Sequence, residues 1–531
     1  MKAPTTSFLD WFAARLKTAG LDRAFGVPGG GTSLDLMAGL RNQNIDTIIT
    51  GREDAAMIMA GVSGVLAEAP GLAFSTKGPG LASASNGLAS AALDRMPALL
   101  ISETFGEEEL EFLSHQVLDQ EALVDPILEK AGAERLSCDQ AAVEKWLRLP
   151  LTSPSVMFPD ASDFRNPVPS SSPSSNEPPL QELDLVRASD LLSQASNPVV
   201  VVGLEAARMS ITPDLRALVN KLAAPVLCTY MAKGSVADDD PHYAGIFTGG
   251  AIEQACMKAA DLIILLGLDP VELIRKPWAY DAPVLDICEQ THDPHYLEPA
   301  ARLEGPLAET LKKVTALAAK SDWQLYDIEK LKSGFLAGMA EGGSADLSSA
   351  AVVKAAARAF AGQPRLCVDA GAHMFSACAF WPAAAPRDVL ISNGLATMGF
   401  ALPAAIAAAL HDPDRGAIAM TGDGGLMMCL GELKTAAQTG ANITVLVFND
   451  ARLSLIDIKR EDRQMPDMGL SWTPPDFAVV ARGFGFEAWR VDTAAGLDNA
   501  LQQAASGSGP RLIDIRIDAS GYRDQMRALR G

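Results

Sequence analysis

The sequence predicts an α/β protein built from three doubly wound parallel-sheet domains. A chain of 531 residues is too long for one hydrophobic core and suits about three domains of ordinary size. Short runs of β-branched and apolar residues, such as PVVVVG at 198–203 and NITVLVFN at 442–449, alternate with longer stretches rich in Ala and Leu. Strands that alternate with helices along a chain are typical of parallel sheets covered on both faces.

Two changes in composition divide the chain. Residues 166–181 are rich in Pro and Ser and can bury almost no apolar surface, so they are predicted to form a linker. Residues 341–349 are a weaker break of the same kind. The predicted organisation is an N-terminal domain over 1–165, a linker over 166–182, a central domain over 183–320, a linker over 321–349 and a C-terminal domain over 350–531.

Each predicted domain contains several candidate strands. They are expected at 46–50 and 71–76 in the first, at 198–203, 224–230 and 260–267 in the second, and at 365–371, 416–422, 442–449 and 510–517 in the third. The Ala-rich stretch AAMIMAGVSGVLAEA at 55–69 is expected to be the helix between the first two strands.

The charge and the cysteine content argue against several kinds of protein. The formal net charge is −21, which repels nucleic acids and anionic membranes, so a small molecule is the expected partner. The seven cysteines include no CxxC pair, which argues against a zinc site and suits a reducing compartment. Asp10 and Arg15 interrupt the N-terminal stretch, and no apolar run approaches the ~18 residues of a membrane span. We therefore expect a cytoplasmic protein that binds neither nucleic acid nor membrane.

Two acidic residues, Asp423 and Asp450, each follow a predicted strand of the C-terminal domain. Asp-Gly and Asn-Asp pairs are common in turns, so either residue alone indicates only a turn. If the two strands are neighbours in a parallel sheet, both carboxylates lie at the same edge, where such sheets bind ligands. Two carboxylates suit Mg²⁺, which completes its coordination with water and phosphate oxygens. Because Gly424 and Gly425 let backbone N–H groups approach a phosphate, the pattern predicts a magnesium-bound diphosphate.

Five blocks in addition to the Gly-Asp-Gly turn occur in the order found in a known enzyme family. They lie at 22–40, 51–102, 115–132, 224–245 and 392–410. Together they resemble thiamine-diphosphate enzymes of the acetolactate synthase and pyruvate decarboxylase group. The resemblance implies thiamine diphosphate and Mg²⁺ as cofactors, a pyrimidine-binding N-terminal domain and a diphosphate-binding C-terminal domain. It also implies decarboxylation of a 2-oxo acid, with transfer of the acyl anion to a second carbonyl in some members.

The resemblance assigns roles to three residues around the reacting part of the cofactor. Glu53 matches the catalytic Glu that hydrogen-bonds the aminopyrimidine ring, and Gln116 matches a glutamine on the substrate side. Met398 matches the bulky side chain that wedges the cofactor into a bent shape. Each residue also has a structural interpretation, namely a helix-dipole partner for Glu53, core packing for Met398 and a solvated helix face for Gln116.

The resemblance also implies a set of ligands for the diphosphate and the metal. Gly371 and His373 match a Gly-Gln-His turn beside the diphosphate, although Ala372 replaces the Gln and removes one expected hydrogen bond. The implied cofactor ligands are Gly422, Asp423, Gly424, Gly425 and Asp450, and the implied metal ligands are Asp423, Asp450 and the main-chain oxygen of Arg452.

Two lysines differ from the family pattern. Lys77 follows Thr76 where the family turn has a Ser, and Lys459 stands where acetolactate synthases have a Trp that shapes the acceptor pocket. If both ammonium groups face the pocket, they would select a 2-oxo acid with a second anionic group, such as a sulfonate, phosphonate or carboxylate. The alternative function is then decarboxylation without carboligation. If Lys77 faces solvent instead, a plain aliphatic 2-oxo acid is expected.

The resemblance further implies an assembly. The Glu-bearing domain of one chain faces the diphosphate-bearing domain of another in this family, which implies a homodimer or homotetramer with the active site at the subunit interface. Bound FAD is not expected, because GIFTGGAIEQA at 245–255 lacks the Gly-Met-His-Gly turn of flavin-binding members.

Two other classes of function stay open at this point. One is a protein that binds the cofactor without catalysis, although Glu53, Asp423 and Asp450 are all present. The other is a nicotinamide oxidoreductase that uses VVVVGLEAARMS at 199–210. That stretch has one Gly where the dinucleotide fingerprint needs three, so it is a weak indication.

Overall fold

The computed structural model describes residues 5–148, 153–169, 184–273, 277–291, 297–340 and 346–531. These residues form three parallel sheets of five, six and six strands, together with one two-stranded antiparallel pair. Most connections between the parallel strands contain helices, since such strands require crossover connections. The predicted class of three α/β sheets is therefore confirmed. Of the predicted linker over 166–182, residues 170–182 lie outside the described residues.

The N-terminal unit is built on the five-stranded sheet, in the order β3-β2-β4-β5-β6, and the short strand β1 pairs antiparallel with β7. Its elements are β1 (Thr5–Ser7), α1 (Phe8–Thr18), β2 (Arg23–Val27), α2 (Thr32–Asn42), β3 (Asp46–Ile49), α3 (Glu53–Ala67), β4 (Gly71–Ser75), α4 (Pro79–Leu93), β5 (Ala98–Ser102), α5 (Glu107–Leu110), α6 (Gln120–Lys130), α7 (Gln140–Trp146), β6 (Ser155–Met157), α8 (Ala161–Arg165) and β7 (Pro167–Pro169).

The central unit is built on a six-stranded sheet in the order β10-β9-β8-β11-β12-β13. Its elements are α9 (Leu185–Gln194), β8 (Pro198–Val202), α10 (Thr212–Leu222), β9 (Val226–Cys228), β10 (Tyr243–Ile246), α11 (Gln254–Lys258), β11 (Leu262–Leu266), β12 (Val284–Cys288), β13 (Ala301–Glu304) and α12 (Leu307–Leu317).

The longest described helix, α13 (Leu325–Ala340), lies in the segment that the sequence analysis expected to be the second linker. It buries Ile328, Phe335 and Met339, and Phe335 packs against Gly245 at β10. The apolar face of this helix therefore holds it against the central sheet. Within the described ranges, no helix combines the length and the apolar character needed to cross a membrane.

The C-terminal unit is built on a six-stranded sheet in the order β15-β14-β16-β17-β19-β18. Its elements are α14 (Ser349–Ala359), β14 (Arg365–Val368), α15 (His373–Phe380), β15 (Val389–Ile391), α16 (Ala401–His411), β16 (Ala417–Gly422), α17 (Asp423–Met428), α18 (Glu432–Thr439), β17 (Ile443–Asn449), α19 (Ser454–Asp462), α20 (Phe477–Gly483), β18 (Glu487–Val491), α21 (Ala494–Ser506), β19 (Arg511–Arg516) and α22 (Tyr522–Arg530).

Each sheet has a point where the chain order reverses. The chain passes from β2 to β3 on one side and returns to β4 on the other, and the same reversal separates β8 from β11 and β14 from β16. Open parallel sheets bind ligands in the crevice at the carboxyl ends of the strands beside such a point. Ligand sites are therefore expected at the loops after β4, β11 and β16.

The N-terminal and C-terminal units share one hydrophobic core. Helix α3 and helix α16 both contribute long runs of buried residues to it, including Met57, Ile58, Leu402 and Ile406. Both helices are rich in Ala and apolar on nearly every side, which is typical of helices buried between two layers. This shared core holds the N-terminal and C-terminal sheets together within one chain.

Candidate active site

Two acidic residues meet at the carboxyl edge of the C-terminal sheet. Strands β16 and β17 pair in parallel with Gly422 opposite Phe448, so Asp423 and Asp450 follow neighbouring strand ends. Asp423 is buried and Asp450 is half-buried. Burial and the nearby charge of Asp450 raise the pKa of Asp423 to about 6. The two carboxylates are therefore close enough to repel each other, which a divalent cation would relieve.

Neighbouring side chains fix the orientation of both carboxylates. Trp472 Nε1 donates a hydrogen bond to Asp423 Oδ2 at 3.1 Å. The hydroxyl of Ser454, in the first turn of α19, donates to Asp450. The side chain of Arg452 is exposed and contacts Asp457, with 3.3 Å between Nη1 and Oδ2, so a metal role for this residue rests on its main chain.

A buried histidine lies beside the same edge. His373 begins α15 and stacks on Phe448, with 5.2 Å between the ring centroids. Burial lowers the pKa of His373 to about 4, so the ring is neutral near pH 7. Its Nε2 is buried and has no hydrogen-bond partner, which a bound polar group would supply. The ring is also packed closely against Gly371, where a Cβ would lie 2.7 Å from Cε1.

Met398 lies beside the glycine turn. A Cβ built on Gly424 would lie 3.5 Å from Met398 Cε and 3.0 Å from Leu453 Cδ2. Met398 is half-buried rather than part of a closed core. The side chain thus reaches the backbone at the start of α17, next to Asp423.

Glu53 lies at the carboxyl end of a strand in a different sheet. It begins α3, is half-buried, and its Oε1 would lie 3.4 Å from a Cβ on Gly80. Glu432 of α18 holds the preceding turn, accepting the N–H groups of Gly51 and Arg52 at 3.2 and 3.0 Å.

Lys77 is paired with an acidic residue that the sequence analysis missed. Its Nζ lies 3.2 Å from Glu103 Oε2 and 4.5 Å from the centre of the Phe105 ring. Glu103 is almost fully buried and also accepts the N–H of Ser33 at 2.9 Å. Although burial acts in the opposite direction, the hydrogen bonds from Ser33 and the charge of Lys77 keep the pKa of Glu103 below its ordinary value. The ammonium charge of Lys77 is therefore balanced within the protein.

The other two predicted substrate residues, Gln116 and Lys459, are exposed. Lys459 lies on α19, and Gln116 lies in the loop before α6 with its carbonyl packed against Gly78. A second glutamine that the sequence analysis missed, Gln120, is buried. It accepts the N–H of Gly78 at 2.9 Å and donates to the main-chain oxygen of Glu103 at 3.1 Å. Gln120 thus fixes the turn that carries Lys77.

Comparison with known proteins identifies the family of the chain. Three domain families match the chain: the thiamine pyrophosphate enzyme N-terminal TPP-binding domain over 6–123, the central domain over 185–314 and the C-terminal TPP-binding domain over 369–515. The chain belongs to the thiamine pyrophosphate enzymes. The resemblance inferred from the sequence is confirmed, and so is the expectation of an enzyme that depends on this cofactor.

Several relatives match this thiamine pyrophosphate enzyme over nearly its whole length. The acetolactate synthase of Bacillus subtilis is 26% identical, over 94% of this chain and 91% of its own. The catabolic acetolactate synthase of Raoultella terrigena is 27% identical, over 97% and 95%. The probable 2-ketoarginine decarboxylase of Pseudomonas aeruginosa is 25% identical, over 94% and 92%.

The residues of this thiamine pyrophosphate enzyme fit the cofactor of its family. A diphosphate would bring oxygen ligands of its own, and Mg²⁺ needs only a few protein ligands. The structure offers the paired carboxylates of Asp423 and Asp450 and an unpartnered nitrogen on buried His373. No group of three or more His, Cys, Asp or Glu side chains within the described ranges forms a closed metal cage.

Proposed function

We propose that this enzyme uses thiamine diphosphate and Mg²⁺ to decarboxylate a 2-oxo acid, and that it can transfer the resulting acyl anion to a second carbonyl. The observation that carries the proposal is the pair of carboxylates, Asp423 and Asp450, on neighbouring strand ends beside the glycine turn that Met398 contacts. Relatives named acetolactate synthase and probable 2-ketoarginine decarboxylase match nearly the whole chain and support a 2-oxo acid as substrate.

The proposed roles of the residues follow from their positions. Asp423, Asp450 and the main-chain oxygen of Arg452 hold Mg²⁺, and His373 hydrogen-bonds the diphosphate. When bound, thiamine diphosphate would supply a nucleophilic carbon for the 2-oxo group and a positively charged ring that takes up the electron pair left when carbon dioxide departs. The carboxyl group of Glu53 would hydrogen-bond the aminopyrimidine ring, and Met398 would keep the cofactor bent.

We propose that a second copy of the chain completes the site. Glu53 follows a strand of the N-terminal sheet, whereas the acid pair follows strands of the C-terminal sheet. The family resemblance implies that the two sheet edges that face each other belong to different copies of the chain. Large apolar side chains are exposed on the loops and helices near both sheet edges, which is unusual for a surface that faces only water. They are Leu34, Leu110, Phe112 and Leu118 in the N-terminal unit and Met427, Met428, Ile456 and Met468 in the C-terminal unit. A homodimer, or a tetramer built from it, would cover them.

The central unit supports the proposal of an enzyme without bound flavin. At the point where the order of its strands reverses, Glu272 accepts the N–H groups of Leu204 and Asp269 at 2.8 and 3.2 Å. Backbone N–H groups at such a turn would bind the phosphates of a dinucleotide. A carboxylate of the protein already occupies them, which also weakens the nicotinamide alternative.

The pairing of Lys77 with Glu103 bears on the choice of substrate. A charge that is already balanced attracts a second anionic group less strongly than an unpaired ammonium does. We therefore propose a 2-oxo acid without a second anionic group as the preferred substrate. Substrates that carry a sulfonate, phosphonate or additional carboxylate remain the alternative to be tested.

A substrate screen tests the proposed function. The purified protein, supplied with thiamine diphosphate and Mg²⁺, is assayed for carbon dioxide release from aliphatic, guanidino, sulfonated, phosphonated and dicarboxylic 2-oxo acids. Product analysis then separates free aldehyde from a coupled hydroxy ketone. We expect release that requires both cofactors and stops with a chelator. A protein that binds the cofactor but releases carbon dioxide from none of these acids would contradict the proposal.

A further inference from the structure

The loop that carries Met398 is held at one end by a buried carboxylate. Residues 392–400 connect β15 to α16. Asp369, which directly follows β14, is fully buried and accepts the N–H of Phe400 at 3.0 Å and the N–H of Gly399 at 3.1 Å. Its Oδ2 also accepts the hydroxyl of Thr421 at 2.7 Å. One side chain therefore joins the residues just after Met398 to the strand end just before Asp423.

No space is left around the carboxylate of Asp369. A Cβ on Gly425 would lie only 2.1 Å from Asp369 Oδ2 and 2.9 Å from Thr421 Oγ1. The backbone of Gly399 has a φ of +83°, a conformation that residues other than glycine rarely adopt. The glycine turn of α17 and the loop of Met398 are thus packed against the same carboxylate.

The other end of the loop is held by a second buried carboxylate, from the N-terminal unit. Asp94 follows α4 and is almost fully buried. Its Oδ1 accepts the N–H groups of Asn393 and Gly394 at 3.0 and 2.7 Å, and its Oδ2 accepts the hydroxyl of Ser392 at 2.6 Å. A Cβ on Gly394 would lie 2.2 Å from the main-chain oxygen of Leu93, so this contact is close as well.

Burying a carboxylate costs free energy unless hydrogen-bond donors surround it. Here two buried carboxylates accept hydrogen bonds from a single nine-residue loop. Hydrogen bonds to a charged acceptor are shorter and stronger than neutral ones, so they restrict the loop more tightly. The residue next to Asp94, Arg95, forms an ion pair with Asp269 of the central unit, with 2.7 Å between Nε and Oδ2. The Asp94 end of the loop is therefore tied to all three units.

We propose that Asp94 and Asp369 are positioning residues for the cofactor site, which fix both ends of the 392–400 loop and thereby set the position of Met398. This inference rests on the proposed function, because it assigns Met398 a role against bound thiamine diphosphate. It goes beyond that function in making a residue of the N-terminal unit responsible for the shape of the site in the C-terminal unit of the same chain.

The test measures cofactor binding rather than turnover alone. Asp94→Asn and Asp369→Asn each place an amide N–H₂ among donors, while Ser392→Ala and Thr421→Val each remove one hydrogen bond to the carboxylate and leave the carboxylate itself. Binding of thiamine diphosphate in the presence of Mg²⁺ is followed by quenching of protein fluorescence. We expect the Asn variants to raise the dissociation constant roughly 10–100-fold, as loss of an outer-shell partner does, and the milder variants to raise it less.

A matched control separates positioning from loss of stability. Asp388 is also a buried aspartate of the C-terminal unit and accepts the N–H groups of Ala384 and Ala385, both at 2.9 Å, but it precedes β15 at the opposite edge of the sheet. Asp388→Asn is expected to lower the melting temperature of the cofactor-free protein without changing the dissociation constant. Equal weakening of binding by Asp388→Asn would overturn the proposal.

A double-mutant cycle asks whether Asp94 acts through Met398. If it does, Asp94→Asn changes the near-ultraviolet circular dichroism of the bound cofactor in the parent protein but not in a Met398→Ala background. Additive effects, or variants that bind as tightly as the parent, would overturn the inference alone. A parent protein that binds no thiamine diphosphate would instead overturn the proposed function, and the inference with it.

Discussion

At the scale of single residues, the ionisable groups of the site depend on neighbours that are distant in sequence. Asp423 is oriented by Trp472, 49 positions away, and Lys77 is balanced by Glu103. Glu53 differs because the structure gives it no ion pair within the described residues. The proposed role of Glu53 depends on a bound cofactor, so it has to be tested by substitution.

The Glu53→Gln variant is expected to fold and to bind thiamine diphosphate but to turn over at least ~10²-fold more slowly. The amide keeps the size of the side chain but cannot exchange a proton, and loss of an acid–base group commonly has this effect. Steady-state rates with the best 2-oxo acid provide the measurement. Glu68→Gln, at the opposite end of α3, is the control and should turn over normally. Near-parental turnover of Glu53→Gln would remove Glu53 from the mechanism.

His373 should give the cofactor-free protein a dependence of stability on pH. Its pKa is lowered from 6.5 to about 4, so the folded state favours the neutral ring. The stabilisation is complete above pH 6.5 and declines as the pH falls towards 4, by on the order of 3 kcal/mol over that window.

His373→Phe keeps the stacking on Phe448 but cannot titrate, so the free energy of unfolding should change less between pH 6.5 and 4 than in the parent. Chemical denaturation at a series of pH values provides the measurement. His115→Phe, at an exposed position, is the control and should keep the parental slope. An unchanged slope in His373→Phe would show that the ring is not held neutral.

At the scale of elements, the start of α17 is the most crowded part of the site. Strand β16 delivers Asp423 to the sheet edge, and the helix turns there over Asp369. From the sequence, Gly425 is expected to let a backbone N–H group approach a phosphate. The structure adds that this glycine is also required by packing, since its missing side chain makes room for the carboxylate of Asp369.

Gly425→Ala is therefore expected to destabilise the protein by about 1–3 kcal/mol, the usual range for overpacking a core, and to weaken cofactor binding. Gly483→Ala in α20 is the matched control, because a Cβ there meets nothing within 4 Å. This control should be neutral or slightly stabilising. Thermal unfolding and cofactor titration of both variants provide the measurements. A Gly425→Ala protein as stable as the parent would show that the turn can shift.

At the scale of the whole molecule, the shared core of α3 and α16 joins the N-terminal and C-terminal units, yet both sheet edges expose apolar side chains. The side chain of Phe112, for example, is 76% exposed. Exposed apolar groups around a candidate site are best explained by a partner surface. In the assembly proposed above, a second copy of the chain covers this surface and also brings a Glu53 to the acid pair.

Phe112→Glu is expected to weaken self-association and to lower specific activity at low protein concentration, with recovery as the concentration rises. Sedimentation velocity and activity, measured over the same dilution series, test this. Tyr326→Glu on α13, where the ring is 77% exposed, is the control and should change neither. A parent protein that is fully active as a monomer would contradict the proposed assembly.

The alternation of strands and helices, the family and the adjacency of Asp423 and Asp450 could be predicted from the sequence. Local patterns determine these features, because strand runs, glycine turns and residues that follow strand ends are encoded by neighbouring positions. The helix at 325–340 was not predicted from the sequence. Only the tertiary structure shows that its apolar residues pack against the central sheet.

Only the tertiary structure decided which charges and amides are paired. Glu103 balances Lys77, Gln120 rather than Gln116 is buried, and Asp94 holds Gly394 from 300 positions away. Such pairings leave no periodic signal in the sequence, because they arise where loops from different sheets pack together. Burial then decides the outcome, since a polar group removed from water must find its partner among whatever side chains the fold brings close.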